Sequence, residues 1–301
     1  MKYSLVIVLI CLFGSVSGSV CQSSGAGPSD DLTKAKDLFK EKKYDESKVL
    51  LKKVIDKNGK QAEPHYILSK ILYNENNVDD AEDQAEQATK LAGDSAEYHF
   101  WLGVCYGRDA QNASVFRQPF LARDVKNEFE KAIALNPNHV GARSGLAQYY
   151  LYAPGIMGGD EDKALEQANA VLRLSEIDGR FLFVQIYSHQ KKNDQAENEF
   201  SILDKKIGGD PKYYRFHNMY GYFLLGEGKI DLAVTEFRRQ VGLAPNDANA
   251  HDSLGEGLMK KGLLKESLAE YSRALELDPS LKNAQEKVKQ IKKMMEDQGK
   301  N

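Results

Sequence analysis

Histidine has the widest chemical range of any side chain in this sequence. Four of the six, His65, His99, His217 and His251, are candidates for metal ligation or acid–base work. Their spacing argues for another role. His65 to His99 is an interval of 34 residues, and so is His217 to His251. A ligand set converges on one point, whereas these four occupy one slot repeated along the chain. No His-Glu-x-x-His pair and no pair of cysteines at zinc spacing accompanies them. The one glycine-rich segment, Gly155-Ile156-Met157-Gly158-Gly159-Asp160, lacks the Lys-Ser/Thr that a phosphate cradle needs. Asp160, Glu161 and Asp162 follow it; they repel phosphate and suit a helix N-terminus. Ser144 and Ser175 stand outside any Gly-x-Ser-x-Gly context. Asp79-Asp80 reads as solvated capping. The expectation is a protein that is not an enzyme, with no catalytic, metal or cofactor-binding residues.

The elements that carry these residues are repeats of about 34 positions. Leu254-Gly255, Leu258, Ser267, Tyr271, Ala274 and Pro279 form one copy. Tyr220-Gly221, Leu224, Ala233, Phe237 and Pro245 form the copy before it. Leu102-Gly103, Tyr106, Phe129, Ala132 and Pro137 form an earlier one. Small residues at Gly103, Ala147, Gly221 and Gly255 let two helices approach closely, and residues at i, i+3, i+4 and i+7 make one apolar face. Glycine or proline ends each second helix.

This grammar resembles the tetratricopeptide repeat, a helix–turn–helix unit that cannot bury its own face and must stack on neighbours. The resemblance implies an all-α, right-handed superhelix (α-solenoid) of about seven units. Their expected spans are 28–61, 62–95, 96–139, 140–176, 177–211, 214–247 and 248–281. A capping helix over 281–295, apolar at Leu281, Ala284, Val288, Ile291 and Met295, closes the array 30–295; a disordered tail covers 296–301. Two insertions lengthen the inter-helix turns, by about ten residues at 109–118 and about five at 153–160. The stretch from Tyr149 to Ala164, with its Ala-Pro-Gly-x-x-Gly-Gly turn, is similar to a group of exported bacterial tetratricopeptide proteins.

The N-terminus reads separately. Lys2, the apolar run Leu5 to Phe13 and the small residues Gly14 to Ser19 predict a secretory signal peptide over 1–18, cut after Gly18. The run falls short of the roughly 20 apolar residues that span a bilayer. A flexible linker covers 19–29. Cys21 raises a lipid anchor at the envelope as an alternative, although Val20 occupies a site that normally holds a small residue. The expected location is periplasmic or secreted. The net charge of -3 argues against nucleic acid.

In the tetratricopeptide architecture the first helix of each unit, helix A, faces the concave groove. The repeat phase then places Phe39, Tyr66, Lys70, Tyr73, Phe100, Trp101, Arg108, Tyr152, Phe181, Gln185, His189 and Tyr222 inward. Aromatic and arginine side chains are the usual anchors of a binding surface. Lys36, Lys40, Lys70 and Arg108 make the N-terminal half basic, which suits an acidic or C-terminal peptide. Chaperone-docking members of the family carry Asn at positions that hold Lys36, Lys70 and Val104 here. The resemblance implies a scaffold that binds a protein or peptide in its groove. An extracytoplasmic small-molecule or lipid carrier is the alternative, and an enzyme the third reading.

Overall fold

A computed structural model describes residues 30–298. The leader expected over 1–18, the linker with Cys21 and residues 299–301 lie outside the described residues. Fifteen α-helices follow one another, with no strand among the described residues. In chain order they are α1 Asp30–Lys40, α2 Tyr44–Lys57, α3 Ala62–Asn74, α4 Val78–Leu91, α5 Ala96–Asn112, α6 Gln118–Leu135, α7 Val140–Tyr152 and α8 Glu161–Leu174. Then come α9 Glu176–His189, α10 Asn193–Ile207, α11 Tyr214–Gly226, α12 Ile230–Leu243, α13 Ala248–Lys260, α14 Leu264–Leu277 and α15 Lys282–Gln298. The final helix runs past residue 295, where the apolar spacing stops. The chain forms two compact units, one ending at Ala196 and the other starting at Glu197, with the division inside α10.

Each unit is a stack of helical hairpins. In the first, α1–α2, α3–α4, α5–α6 and α7–α8 pack as pairs, each pair on the next, and α9 packs on α7 and α8. In the second, α11–α12 and α13–α14 pair, and α15 packs on α14 through Ala284 and Ile291. The turns between paired helices recur in geometry. Lys42, Asn76, Gly228 and Gly262 adopt left-handed φ. The amides of Lys43, Asn77, Lys229 and Leu263 reach back to the carbonyls of Leu38, Leu72, Leu224 and Leu258. That is the bond pattern that ends a helix when its last residue turns left-handed.

The hairpins close around aromatic rings set between glycines. Phe129 of α6 is fully buried between two A helices. A Cβ on Gly103 of α5 would stand 2.7 Å from its ring, and one on Gly145 of α7 2.6 Å away. Phe237 of α12 repeats this in the second unit, with Gly221 at 2.5 Å and Gly257 at 2.9 Å. Tyr271 meets Gly255 at 2.9 Å. Each ring therefore joins the helix A of its own hairpin and, for the two phenylalanines, that of the next.

Gly221→Ala forces Phe237 or the helix to move and should cost about 1–3 kcal/mol. Gly242→Ala, also helical but with nothing within 4 Å of the new methyl, should be neutral or stabilising by up to about 1 kcal/mol. Urea denaturation of the two variants checks the contrast, and equal midpoints would refute the packing account.

Candidate functional site

The four histidines are structural ties. His99 Nδ1 lies 2.5 Å from Glu128 of its partner helix, and Nε2 donates to the Gly93 carbonyl at 3.0 Å. His217 repeats this with Glu236 and the Gly208 carbonyl, both at 2.7 Å. His251 does so with Glu270 at 2.7 Å and the Pro245 carbonyl at 3.0 Å. His65 meets Gln84 at 2.7 Å and the Gly59 carbonyl at 3.4 Å. Each imidazole thus pins its own hairpin to the end of the helix before it, as the shared slot predicts.

One of these ties has metal-ligand geometry. Asp204, His217 and Glu236 bring three ligand atoms within 4.8 Å of one another. The residues do not suit an ion. Both nitrogens of His217 are engaged, and Arg239 already fills the cationic place, 2.7 Å from Asp204 Oδ1 and 3.0 Å from Glu236 Oε1. A metal would have to displace a guanidinium that pairs with both carboxylates.

Five of the expected groove residues converge in the first unit. Tyr66, Lys70 and Tyr73 of α3 meet Trp101 and Arg108 of α5. Trp101 contacts Tyr66 and Tyr73 edge-on at 6.3 and 5.2 Å. The Lys70 ammonium sits 4.7 Å from the Tyr66 ring centre and 5.0 Å from that of Trp101. It donates to the Tyr66 hydroxyl at 2.7 Å, which donates to Glu97 at 2.5 Å. His139 adds a bond to Glu97 at 3.2 Å. Burial opposes the Glu97 carboxylate, yet the hydrogen bonds from His139 and Tyr66 and the Lys70 charge hold its pKa below the usual range. Burial, then Glu97, push the Tyr66 phenol well above its usual value, so it stays protonated as a donor.

Trp101 is 2% exposed and is core. Ala85 occupies the α4 slot that holds Phe129 in α6, so space remains near Ser69, and the indole donates to Ser69 Oγ at 2.7 Å. Tyr73 and Phe181 are buried too. Gln185 is buried and accepts from Gln148 at 3.3 Å. Phe100 packs on Phe129 and His139 between α5 and α7. Phe39 lies on Tyr44 across its own turn, apart from the cluster. Tyr152 and His189 meet edge-on at 5.7 Å in a second small group. Tyr222 belongs to the second unit, exposed, with its hydroxyl bonded to Glu256 at 3.0 Å.

The expected basic half is neutralised. Lys36 pairs with Glu63 at 2.5 Å, and Lys70 stands 4.0 Å from Glu97. In each case the lysine of one helix A meets the acid opening the next. Lys40 pairs with Asp37 at 3.1 Å. Arg108 differs: its guanidinium lies 4.7 Å from the Tyr73 ring centre and forms no ion pair with a carboxylate among the described residues. Tyr98, 4.9 Å from Tyr66, extends the aromatic surface and was missed by the repeat phase. Glu63 and Glu97 were missed too, although their 34-residue interval could have revealed them.

The Ala-Pro-Gly-x-x-Gly-Gly segment is a fixed turn. Gly155–Met157 form one turn of 3-10 helix. Gly158 has φ 92°, and a Cβ on Gly159 would overlap the Ala153 carbonyl. The Tyr149 hydroxyl donates to the Met157 carbonyl. Asp160 caps α8 by accepting from the amides of Asp162 and Lys163, the capping role read from its sequence. Nearby, an open depression of about 300 Å³ is lined by Glu130, Ile133, Tyr150, Lys163 and Glu166 among others.

Two stretches, residues 38–99 and 221–282, match family models of the tetratricopeptide repeat. No curated protein matches the chain. A crystallised tetratricopeptide repeat protein from Parabacteroides merdae is similar over 87% of this chain and 97% of its own, with TM-score 0.63 and 13% identity. A thermophilic tetratricopeptide protein of Thermus thermophilus is similar over 65% and 98%, with TM-score 0.55 and 17% identity. Yeast Tom70 is similar over 92% of this chain but 59% of its own length, with TM-score 0.66 and 16% identity. At such identities the likeness is one of fold. With the two repeat matches and the stacked hairpins, it makes this chain a tetratricopeptide-repeat protein.

Excess zinc or nickel should leave the melting temperature unchanged, because Arg239 holds the site. An ion bound at 100 times its Kd would add about 2.7 kcal/mol. A rise in melting temperature that His217→Gln abolishes would show a metal site after all.

Proposed function

We propose that this chain is a non-catalytic scaffold outside the cytoplasm that holds a polypeptide against the A-helix surface of its first unit, around Tyr66, Tyr98 and Arg108. The fold is consistent with a protein-interaction scaffold, and tetratricopeptide proteins are generally non-catalytic. Arg108 is the observation that carries the reading. A half-buried guanidinium stacked on an aromatic ring is an anchor ready for a carboxylate. The neighbouring cations are already satisfied, so the site offers one strong anionic subsite beside an aromatic shelf. The lysine row, which on its sequence suited a long acidic ligand, adds little because its charges are spent on Glu63 and Glu97.

The location rests on the leader pattern of residues 1–18. No helix among the described residues is long and apolar enough to cross a membrane. The carrier reading gains little support from the depression lined by Glu130, Lys163 and Glu166, which is open and charged rather than enclosed and apolar.

Two measurements test this. Peptides panned from a displayed library should carry a carboxylate beside aromatic or aliphatic residues. Arg108→Glu should weaken them about tenfold or more, equivalent to about 1.4 kcal/mol, while the melting temperature moves by less than about 2 °C. Peptides that bind Arg108→Glu as tightly as the parent would remove the reading. Separately, the protein recovered from its native host should begin at Ser19 by N-terminal sequencing. A mature chain that retains Met1 would remove the export step.

A further inference from the structure

The two insertions in the first unit have no part in the peptide surface, and both hold apolar side chains in water. The first was expected as a longer turn. Most of it is helix instead: α5 gains four residues at its end and α6 four at its start relative to α3 and α4, with two more in the turn between. Pro119 favours the start of α6, and the extension buries Ala110 and Leu121. The hairpin tip therefore stands about 6 Å beyond an ordinary turn, at 1.5 Å per residue.

At that tip Val115 is 73% exposed, Phe116 88% and Phe120 61%, with Pro119 exposed among them. Ile156, on the 3-10 turn that packs against α6, is 95% exposed. Ordinary turns of the same unit carry Glu41-Lys42-Lys43, Glu75-Asn76-Asn77 and Gln190-Lys191-Lys192. Both apolar tips are held in place. Arg117 pairs with Asp109 at 2.7 Å and Gln118 bonds the Ala113 carbonyl at 3.2 Å. On the second turn, the Met157 amide bonds the Pro154 carbonyl at 2.7 Å and that of Asp160 the Tyr150 carbonyl at 2.8 Å. An apolar surface presented on two braced turns has the form of a docking surface.

We propose that this surface docks a second copy of the chain in a two-fold arrangement, tip against tip. Three observations select that occupant. The exposed side chains together offer on the order of 400–600 Å², below the roughly 800 Å² per partner of a stable complex, which fits weak, concentration-dependent pairing. Arg123 and Asp124 pair with each other at 3.4 Å next to Phe120, with side chains 65% and 37% exposed. A two-fold axis lets each arginine exchange this exposed partner for the other copy's aspartate, the reciprocal contact such symmetry requires. The third is the placing of acids. Asp79, Asp80, Glu82 and Asp83 open α4, packed on α5, and Asp160, Glu161 and Asp162 precede or open α8. Tip-to-tip contact through the α5–α6 hairpin keeps the α4 acids of the two copies about 12 Å apart, twice the tip's extension, beyond the screening length of about 8 Å at physiological salt. Insertion into an anionic bilayer would instead bring them to about 6 Å from like charge, so a membrane is disfavoured. Burial, followed by Asp109 and Glu86, pushes the Glu82 carboxyl up to about 7, which further reduces the charge at the hairpin base.

Sedimentation equilibrium of the whole protein from about 5 µM to about 500 µM should show a monomer–dimer equilibrium in this weak range, little weakened by added salt. Phe116→Glu with Phe120→Glu should shift dissociation at least about tenfold with unchanged circular dichroism and melting temperature. Arg123→Asp alone and Asp124→Arg alone should each weaken the dimer, and the two together should restore it. A monomer throughout, or a dimer indifferent to the Phe116→Glu and Phe120→Glu pair, overturns the proposal. So does flotation of a monomeric parent with phosphatidylcholine vesicles that this pair abolishes, which would assign the tips to lipid. The peptide measurement with Arg108→Glu is independent, so failure of one reading leaves the other intact.

Discussion

A flat ring pressed between two glycine faces governs this protein. Phe129 between Gly103 and Gly145, and Phe237 between Gly221 and Gly257, hold helices closer than any side chain at those glycines would permit. Close approach aligns the neighbouring slots. With the helices in that register, His99 and His251 reach an acid on one side and a carbonyl on the other. Serine acts in the same register: Ser47 donates to the Ala35 carbonyl at 2.8 Å, and Ser267 to that of Gly255 at 2.6 Å. Buried hydroxyls and imidazoles that found no partner would each be costly, so the ties fix the stacking that the rings allow.

Function follows from where this regularity is satisfied and where it is left open. The lysine-to-acid pairs between successive A helices, Lys36 with Glu63 and Lys70 with Glu97, are internal to the array and leave little for a ligand. Arg108 lies half-buried over the Tyr73 ring. The long turns are open in a different sense. They replace polar connections with Phe116, Phe120 and Ile156 and lie at the turn end of the hairpins. A surface for a peptide and a surface for self-association can thus coexist on one unit without sharing residues.

Several residues changed their meaning once packing was known. Trp101 reads as a groove anchor from its phase, yet it fills the space left by Ala85 and gives its only polar hydrogen to Ser69. Nothing in the local pattern of α5 distinguishes these uses, because the deciding residue lies on α4. Phe181 and Tyr73 are buried as well, Tyr73 against the ring of Trp101 on α5. The segment from Asp109 to Gln118 has the composition of a loop. Asp109 to Asn112 extend α5 and Gln118 opens α6, with 113–117 left as a turn, because Ala110 and Leu121 find a buried face once α5 and α6 are side by side.

The sequence by itself determined the repeat, the helix order, the shared histidine slot and the capping role of Asp160, since each depends on residues within one unit or one period. Helical periodicity and close small-to-large contacts are local, so one chain read in order suffices to find them. Only the tertiary structure decided which aromatics are core and which turn residues stay in water. Those outcomes depend on the side chain met across an interface, and that partner comes from another helix at no fixed distance along the chain.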